Sequence, residues 1–493
     1  MKKSTWRKHH KWFGLLFGFF LLMFCLSGIV LNHRTLVSDI NVGRGLLPPS
    51  YRYSHWNNGL LRGTLRYADT LLVYGGSGVW RTDSLASFIA DFNQGLPGGA
   101  DFRNIRGVVR TADGELFAAG QFGLYSHQPS GEWEETPLPL DAHERLTDLV
   151  AHGDTLIAVG RSRLYVSTLP YREFRPLTLK APTGYDGRVS LFRTVWLLHS
   201  GELFGVAGKV LMDIVALVLI LLTFTGILYW LLPKYIIRAR KAGRKALRGL
   251  KLIKGSLAWH NKLGAATIIL TLFVSVTGWM LRPPVLIALA QGRVPAIPGT
   301  TLSSPNAWND KLRMMRYDEA AGDWLLSTSE GFYALRRLDD IPREEPHTPP
   351  VSVMGLNVFA PHDDGYWLAG SFSGLYLWDR KKGTSIDCFT GLPATNQSGP
   401  PFGQRAIAGY SRDFAGREFA VDYKAGTDAI AMPPWMAKLP MSLWNLCLEI
   451  HTGRIYTFLG NGTLVYIFFA GLIVAWVLWS GYRIRRGKAK GAT

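Results

Sequence analysis

Four apolar stretches, residues 13–31, 210–232, 263–281 and 464–481, are each long enough to approach a full crossing of a lipid bilayer. A helix rises about 1.5 Å per residue, so roughly 20 apolar residues cross a hydrocarbon core of about 30 Å. The segments between them, 34–198 and 283–450, are polar, rich in turn residues and far too long to be connectors, so they are expected to be folded domains. The chain therefore reads as an α-helical membrane protein, a four-transmembrane-helix bundle carrying large domains on one side.

Charge sets the orientation. Twenty of the 55 basic residues fall in three segments without a single acid: five before the first span, ten from Lys234 to Lys262, and five from Arg483 to Lys490. The remaining 35 face 36 acidic residues elsewhere, so the whole net charge of +19 sits on one face. By the positive-inside rule that face is cytoplasmic, which puts both termini and the basic loop 233–259 inside and both large domains outside. A membrane-surface cluster accounts for the basic balance, and no nucleic-acid partner is needed. The first span lacks a small-x-small cleavage pattern and has a longer apolar run than a signal core, so it reads as retained. Cys25, Cys388 and Cys447 are scattered, with no Cys-x-x-Cys-His, which excludes covalent haem attachment; a Cys388–Cys447 disulfide and two unpaired thiols are equally open.

Histidines recur around these spans. His10-Lys-Trp-Phe-Gly14 opens the first, which closes on Ser27-Gly28, and His260-Asn-Lys-Leu-Gly264 opens the third, which closes on Thr277-Gly278. His199-Ser-Gly201 precedes the second, closing on Thr225-Gly226, and His451-Thr-Gly453 precedes the fourth, closing on Ser480-Gly481. The chain thus carries an internal duplication. A lone boundary histidine is ordinarily an interfacial side chain, but recurrence at matched places points to axial ligation of haem iron. His10 and His260, both at the cytoplasmic ends, are expected to face one another across an inner b-type haem. His9 points about 100° away from His10 on a helix and has no counterpart in the third span.

For a second, outer haem the candidates are His33, His199 and His451, with His199 and His451 preferred on symmetry. His33 lies 23 residues from His10, about 35 Å along a helix, so those two cannot share one haem. Straight helices would carry His199 and His451 roughly 10 Å beyond the hydrocarbon core, so either the helices bend or the haem sits at the mouth of the bundle. His55, His127, His143, His152, His347 and His362 read as surface residues of the outer domains. Lys209 and Asp213, four apart, are expected to pair. The Ser-Gly and Thr-Gly pairs suggest close helix approach, with each hydroxyl bonded back to its own helix. Trp12, Trp230, Trp259, Trp476 and Trp479 fit an aromatic belt.

The outer segments repeat as well. Asp69-Thr-Leu-Leu-Val-Tyr-Gly-Gly-Ser-Gly78, Asp113-Gly-Glu-Leu-Phe-Ala-Ala-Gly-Gln-Phe-Gly123 and Asp154-Thr-Leu-Ile-Ala-Val-Gly-Arg-Ser-Arg163 align with Asp323-Trp-Leu-Leu-Ser-Thr-Ser-Glu-Gly331 and Gly365-Tyr-Trp-Leu-Ala-Gly-Ser-Phe-Ser-Gly374. Each reads as a polar turn, a short alternating strand, a Gly-containing turn and a second strand. A period of about 40 to 45 residues with several strands per unit predicts propeller blades. Three units before the middle spans and two after them suggest all-β, propeller-like outer domains, either one assembled from both halves or two.

The stretches Arg7-Lys-His-His-Lys-Trp-Phe-Gly14 and Leu448-Glu-Ile-His-Thr-Gly-Arg454, with the order of spans and histidines, resemble the PepSY-associated transmembrane family. That family includes inner-membrane reductases of ferric siderophores. The resemblance implies a bacterial inner-membrane protein with two b haems that passes electrons from a quinol or a cytoplasmic reductase to a periplasmic ferric chelate, an oxidoreductase serving iron acquisition. No nucleotide-binding Gly-rich motif is present, so NAD(P)H binding by the chain itself is not expected. The outer domains depart from the pattern, since blade-like repeats are clearer there than any PepSY-type fold. An alternative of another class is a membrane-anchored periplasmic propeller that binds or senses a ligand without redox chemistry.

Overall fold

The computed structural model describes residues 2–141, 144–243, 247–290, 292–352, 354–394, 405–460 and 462–486. His143, Arg244, Lys488 and Lys490 lie outside the described residues. The chain divides into two compact units: a helical one, Met1–Val37, Gly187–Ser303 and Trp444–Thr493, and a β-rich one, Ser38–Asp186 and Ser304–Leu443. The outer segments therefore begin and end inside the expected limits of 34–198 and 283–450, and the two fold together as one unit.

In the helical unit, α1 (Lys3–Asn32), α2 (Leu191–Ser200), α3 (Gly205–Lys241), α4 (Leu247–Ala266), α5 (Ile268–Met280), α6 (Leu443–His451) and α7 (Gly462–Arg486) carry the sequence landmarks. Among the described residues α1, α7 and the helical run through α3 are long and apolar enough to cross a membrane. The third expected span, 263–281, is not one straight helix. It is the joint between α4 and α5, whose axes differ by 69°. Thr267 stands at the joint with φ −106° and ψ 7°, its backbone N–H and its hydroxyl both on the Leu263 carbonyl at 3.0 and 2.9 Å. The basic loop expected over 233–259 is largely helical, because α3 runs on to Lys241 and α4 starts at Leu247.

The short helix α2 begins at Ser190, whose hydroxyl accepts the Arg193 N–H at 3.4 Å, and stops at Gly201. Gly201 has φ +81°, and a Cβ there would stand 2.2 Å from the Gly208 carbonyl oxygen, so only glycine permits this turn into α3. α6 ends in the same way before Gly453, at φ +74°. Of the two geometries open to His199 and His451, the helices break just after them. Lys209 turns to Glu202 at 3.6 Å rather than to Asp213, which is held by His33 instead.

Among its described residues the β-rich unit contains, besides a short pairing of residues 41–42 with 441–442, five four-stranded antiparallel sheets in simple meander order, covering residues 63–91, 105–136, 146–177, 312–344 and 356–387. Each of the five sequence repeats is the middle hairpin of one sheet. A sixth, two-stranded sheet (Ile407–Ser411 with Phe419–Asp422) had no sequence signal of comparable strength. From the second sheet to the sixth, the first strand carries a register shift at its start: Ile105/Gly107, Leu146/Asp148, Leu312/Met314, Leu356/Val358 and Ile407/Gly409. This shared bulge marks the sixth sheet as one more copy of the unit. First strands neighbour one another in the order first, second, third, fourth, fifth, sixth and back to first.

The second strands are not half-exposed as an alternating pattern implies. Leu116–Gly120 and Trp367–Ser371 are buried throughout, because these strands are covered on both faces. Two seams join the halves of the chain. Ile157, Val159 and Leu164 pack with Trp308, Leu312 and Met315, while Trp56, Leu60 and Leu61 pack with Phe414, Val421 and Met436. The buried Asp148 carboxylate accepts the Met315 N–H at 2.9 Å and pairs with Arg316 at the first seam.

Candidate functional site

The matched histidines meet in two pairs. The rings of His10 on α1 and His260 on α4 have centroids 5.9 Å apart with planes at 78°. Those of His199 on α2 and His451 on α6 are 6.0 Å apart at 48°. All four side chains are half-buried.

Each imidazole is seated on a neighbouring helix by one repeated device. His10 Nδ1 donates to the Val477 carbonyl at 3.0 Å and to Ser480 Oγ at 3.2 Å. His199 Nδ1 donates to the Val274 carbonyl at 3.1 Å and Thr277 Oγ1 at 3.2 Å, and His451 Nδ1 to the Phe24 carbonyl at 2.9 Å and Ser27 Oγ at 3.2 Å. His260 Nδ1 meets Thr225 Oγ1 at 3.0 Å. The glycine after each hydroxyl residue leaves room for the ring edge. A Cβ would come within 2.8 Å of His199 Cε1 at Gly278, 3.0 Å of His10 Cε1 at Gly481, and 3.2 Å of His451 Cε1 at Gly28. At Gly226 the corresponding distance to His260 Cε1 is 3.5 Å, an ordinary contact.

This device fixes the tautomer. A carbonyl oxygen only accepts, so the nitrogen facing it carries the proton. The hydroxyls give their single protons to their own helices: Ser27 to Met23, Thr225 to Leu221, Thr277 to Phe273 and Ser480 to Val477. They too can only accept from imidazole. All four Nδ1 atoms are thereby N–H donors, and in the neutral ring all four Nε2 atoms keep their lone pairs. Among the described residues none of the four Nε2 atoms has a hydrogen-bond partner.

The back-bonding expected of the hydroxyls is present, but the Ser-Gly and Thr-Gly pairs do more than allow helices to approach. They are histidine seats, and every one is filled from the other half of the chain. His10 and His199 of the first half sit on α7 and α5, while His260 and His451 of the second sit on α3 and α1. The duplicated sequence spacing held the clue, since each histidine pattern recurs with a Ser/Thr-Gly pair. On α1, His10 and the Phe24 carbonyl are 14 residues apart, about 21 Å along the helix, so the two pairs belong to opposite ends of it.

His33 lies in neither pair. Its Nε2 is 2.7 Å from Asp213 Oδ2, and Asn32 Nδ2 holds the other carboxylate oxygen at 3.2 Å. His9 packs on Phe13 and Trp476, with ring centroids at 5.8 and 6.1 Å. Described histidines of the β-rich unit have ordinary partners: His55 with Asp428, His152 stacked on Tyr317, His127 on Phe92, and His362 with Glu418. The three cysteines are free thiols. Among the described residues no group of three or more His, Cys, Asp or Glu could hold a metal ion. What the chain offers is paired imidazoles. Two metal–imidazole bonds of about 2 Å, with about 1 Å more from each nitrogen to its ring centre, put opposed centroids about 6 Å apart. Both pairs match that span.

A family model described as the PepSY-associated TM region matches residues 1–232 and again 166–488. No curated protein sequence matches the chain. Among solved structures, the chain is similar to the extracellular domain of a B. thetaiotaomicron protein, BT4673, described in one structure as a one component system and in another as a hybrid two component system. The first has 11% identity and a TM-score of 0.25, over 64% of this chain and 33% of that one. The second has 12% identity and a TM-score of 0.22, over 76% and 48%. The chain thus spans a third to a half of those structures, and the likeness is distant.

Proposed function

The chain belongs to the PepSY-associated TM family, and on that premise we propose that it is a b-type dihaem electron-transfer protein of the bacterial inner membrane. His10 with His260, and His199 with His451, are the axial ligand pairs. The single observation that carries this reading is the set of four seats, each of which protonates Nδ1 and leaves an unbonded Nε2 in a pair about 6 Å across. Hydrogen bonding of the far ring nitrogen to a carbonyl is the usual outer-shell support of a metal-bound imidazole, orienting the ring and raising its basicity. Haem held there would supply a one-electron couple at each end of the membrane helices.

In this reading α4 and α5 together make the third span of a four-helix bundle, and the six sheets in cyclic order make one propeller built from both halves. The acid-free basic segments put both termini in the cytoplasm and the propeller in the periplasm. The inner pair lies on the basic side, where a quinol or a cytoplasmic reductase is the electron donor. The acceptor is a periplasmic ferric chelate, a ferric siderophore above all, since reduction to ferrous iron weakens chelation and frees the metal.

Absorbance spectra of the purified full chain test the reading. A Soret band that shifts on dithionite, with two haems per polypeptide, is the expected result. A folded but colourless protein would overturn it and leave a membrane-anchored β-rich receptor.

A further inference from the structure

We propose that Arg282 binds a carboxylate of the haem at the outer pair, an inference that rests on the reading above. Arg282 follows the end of α5 and is half-buried. Its one side-chain hydrogen bond is long, from Nη2 to the His451 carbonyl at 3.4 Å. A guanidinium carries five donors in a planar fork, so most of its capacity is unused. Among the described residues no carboxylate lies within ion-pair distance of it; the neighbouring Glu449 carboxylate is engaged by Arg454 at 2.9 Å.

A cation partly withdrawn from water at the end of a membrane helix is costly without a counter-ion. The group that would remove the cost must be anionic, must fit a planar fork and must lie beside His451, the residue Arg282 touches. A b-type haem carries two carboxylates along one edge, and a guanidinium binds a carboxylate in a two-point fork where an ammonium acts as a point charge. The positive charge also favours the reduced state of the nearby iron, which gains an electron. Arg282 is thus a positioning residue that raises the potential of the outer couple relative to the inner one.

The test is spectroelectrochemical titration of the full-length protein in neutral detergent, wild type against Arg282→Gln and Arg282→Lys. At a fixed potential the reduced-to-oxidised ratio of one haem should fall on the order of tenfold in Arg282→Gln, about 59 mV for a one-electron couple, while the other is unchanged. Arg282→Lys should recover part of that shift. Loss of one haem in Arg282→Gln with retention in Arg282→Lys would support the same conclusion. Unchanged titrations in a two-haem Arg282→Gln protein, or a lysine variant no better than glutamine, would overturn it. A shift seen only in vesicles of anionic lipid would place a lipid phosphate on Arg282 instead. A colourless wild type is a different failure, that of the electron-transfer reading itself.

Discussion

Gly481 and His10 are fitted to one another: a Cβ on the glycine would stand 3.0 Å from Cε1 of the imidazole, which is already held by Val477 one turn earlier and by the adjacent Ser480 on the same helix. The four seats differ in how tightly glycine is required, and that difference orders the outcome of substitution. Gly278→Ala, where the contact would be 2.8 Å, should displace His199 and remove one of the two haems. Gly226→Ala, at 3.5 Å, should keep both. Haem-to-protein ratios of the purified variants check the order, and equal losses at the two positions would contradict it.

Thr225 Oγ1 accepts from His260 Nδ1 at 3.0 Å beside the Leu222 carbonyl, as Ser480, Thr277 and Ser27 stand beside a backbone carbonyl at His10, His199 and His451. Thr225→Val keeps the shape and removes the acceptor. It should weaken inner haem binding by about 10- to 100-fold, the usual cost of losing an outer-shell partner, and Ser480→Ala should do so by a similar factor. Haem retention during competition with an apo-haem-binding protein measures it.

Substituting His10, His260, His199 or His451 by Ala should each remove about half of the haem if, as proposed, each pair serves one iron. His33→Gln should leave two haems, since that ring is engaged with Asp213 at 2.7 Å. Loss of haem from His33→Gln, with retention in His451→Ala, would reassign the outer ligand.

In the β-rich unit Arg380 bridges three carboxylates, meeting Asp318 at 2.8 Å, Asp323 at 2.6 and 2.7 Å, and Glu345 at 2.8 Å. All four side chains are largely buried, so Arg380→Ala leaves three acids without their counter-ion and should cost about 3–5 kcal/mol. Chemical denaturation followed by tryptophan fluorescence reads this out.

The same cluster gives a pH dependence. Burial pushes the Asp318 carboxyl up, but donors from Arg380, the Ala321 backbone and Trp367 outweigh it and hold the group below its ordinary value. A carboxyl depressed on folding contributes stability above its unfolded value, near 4, and loses it as the pH falls through the lower folded value. Thermal midpoints should therefore drop between about pH 5 and 3, and Asp318→Asn should drop less over that interval.

Three of the expected spans, the duplication and the meeting of the matched histidines were legible because each leaves a local, repeated mark on the chain: His10 and His260 share one spacing to glycine, and His199 and His451 share another motif. The seats were half legible. Ser27-Gly28 or Thr277-Gly278 announces a small, back-bonded surface, but which ring fills it is decided by helices hundreds of residues apart in sequence. The bend at Thr267 was missed because hydropathy reads through a threonine that still bonds within its own helix. The sixth sheet escaped because its described residues form two strands where its fellows have four, and its shared bulge is what betrays it.

The exchange of histidines between the two halves has a further consequence. A half-length polypeptide, with one α1-like and one α3-like helix, would carry two of the histidines and two seats yet could not bring them together within itself, because each ring reaches the opposite repeat. Two such molecules related by a dyad would generate both gaps between paired imidazoles at once. A gene fusion that joined them would have changed nothing at either gap, while freeing single positions such as Arg282 to diverge and make the two ends unequal.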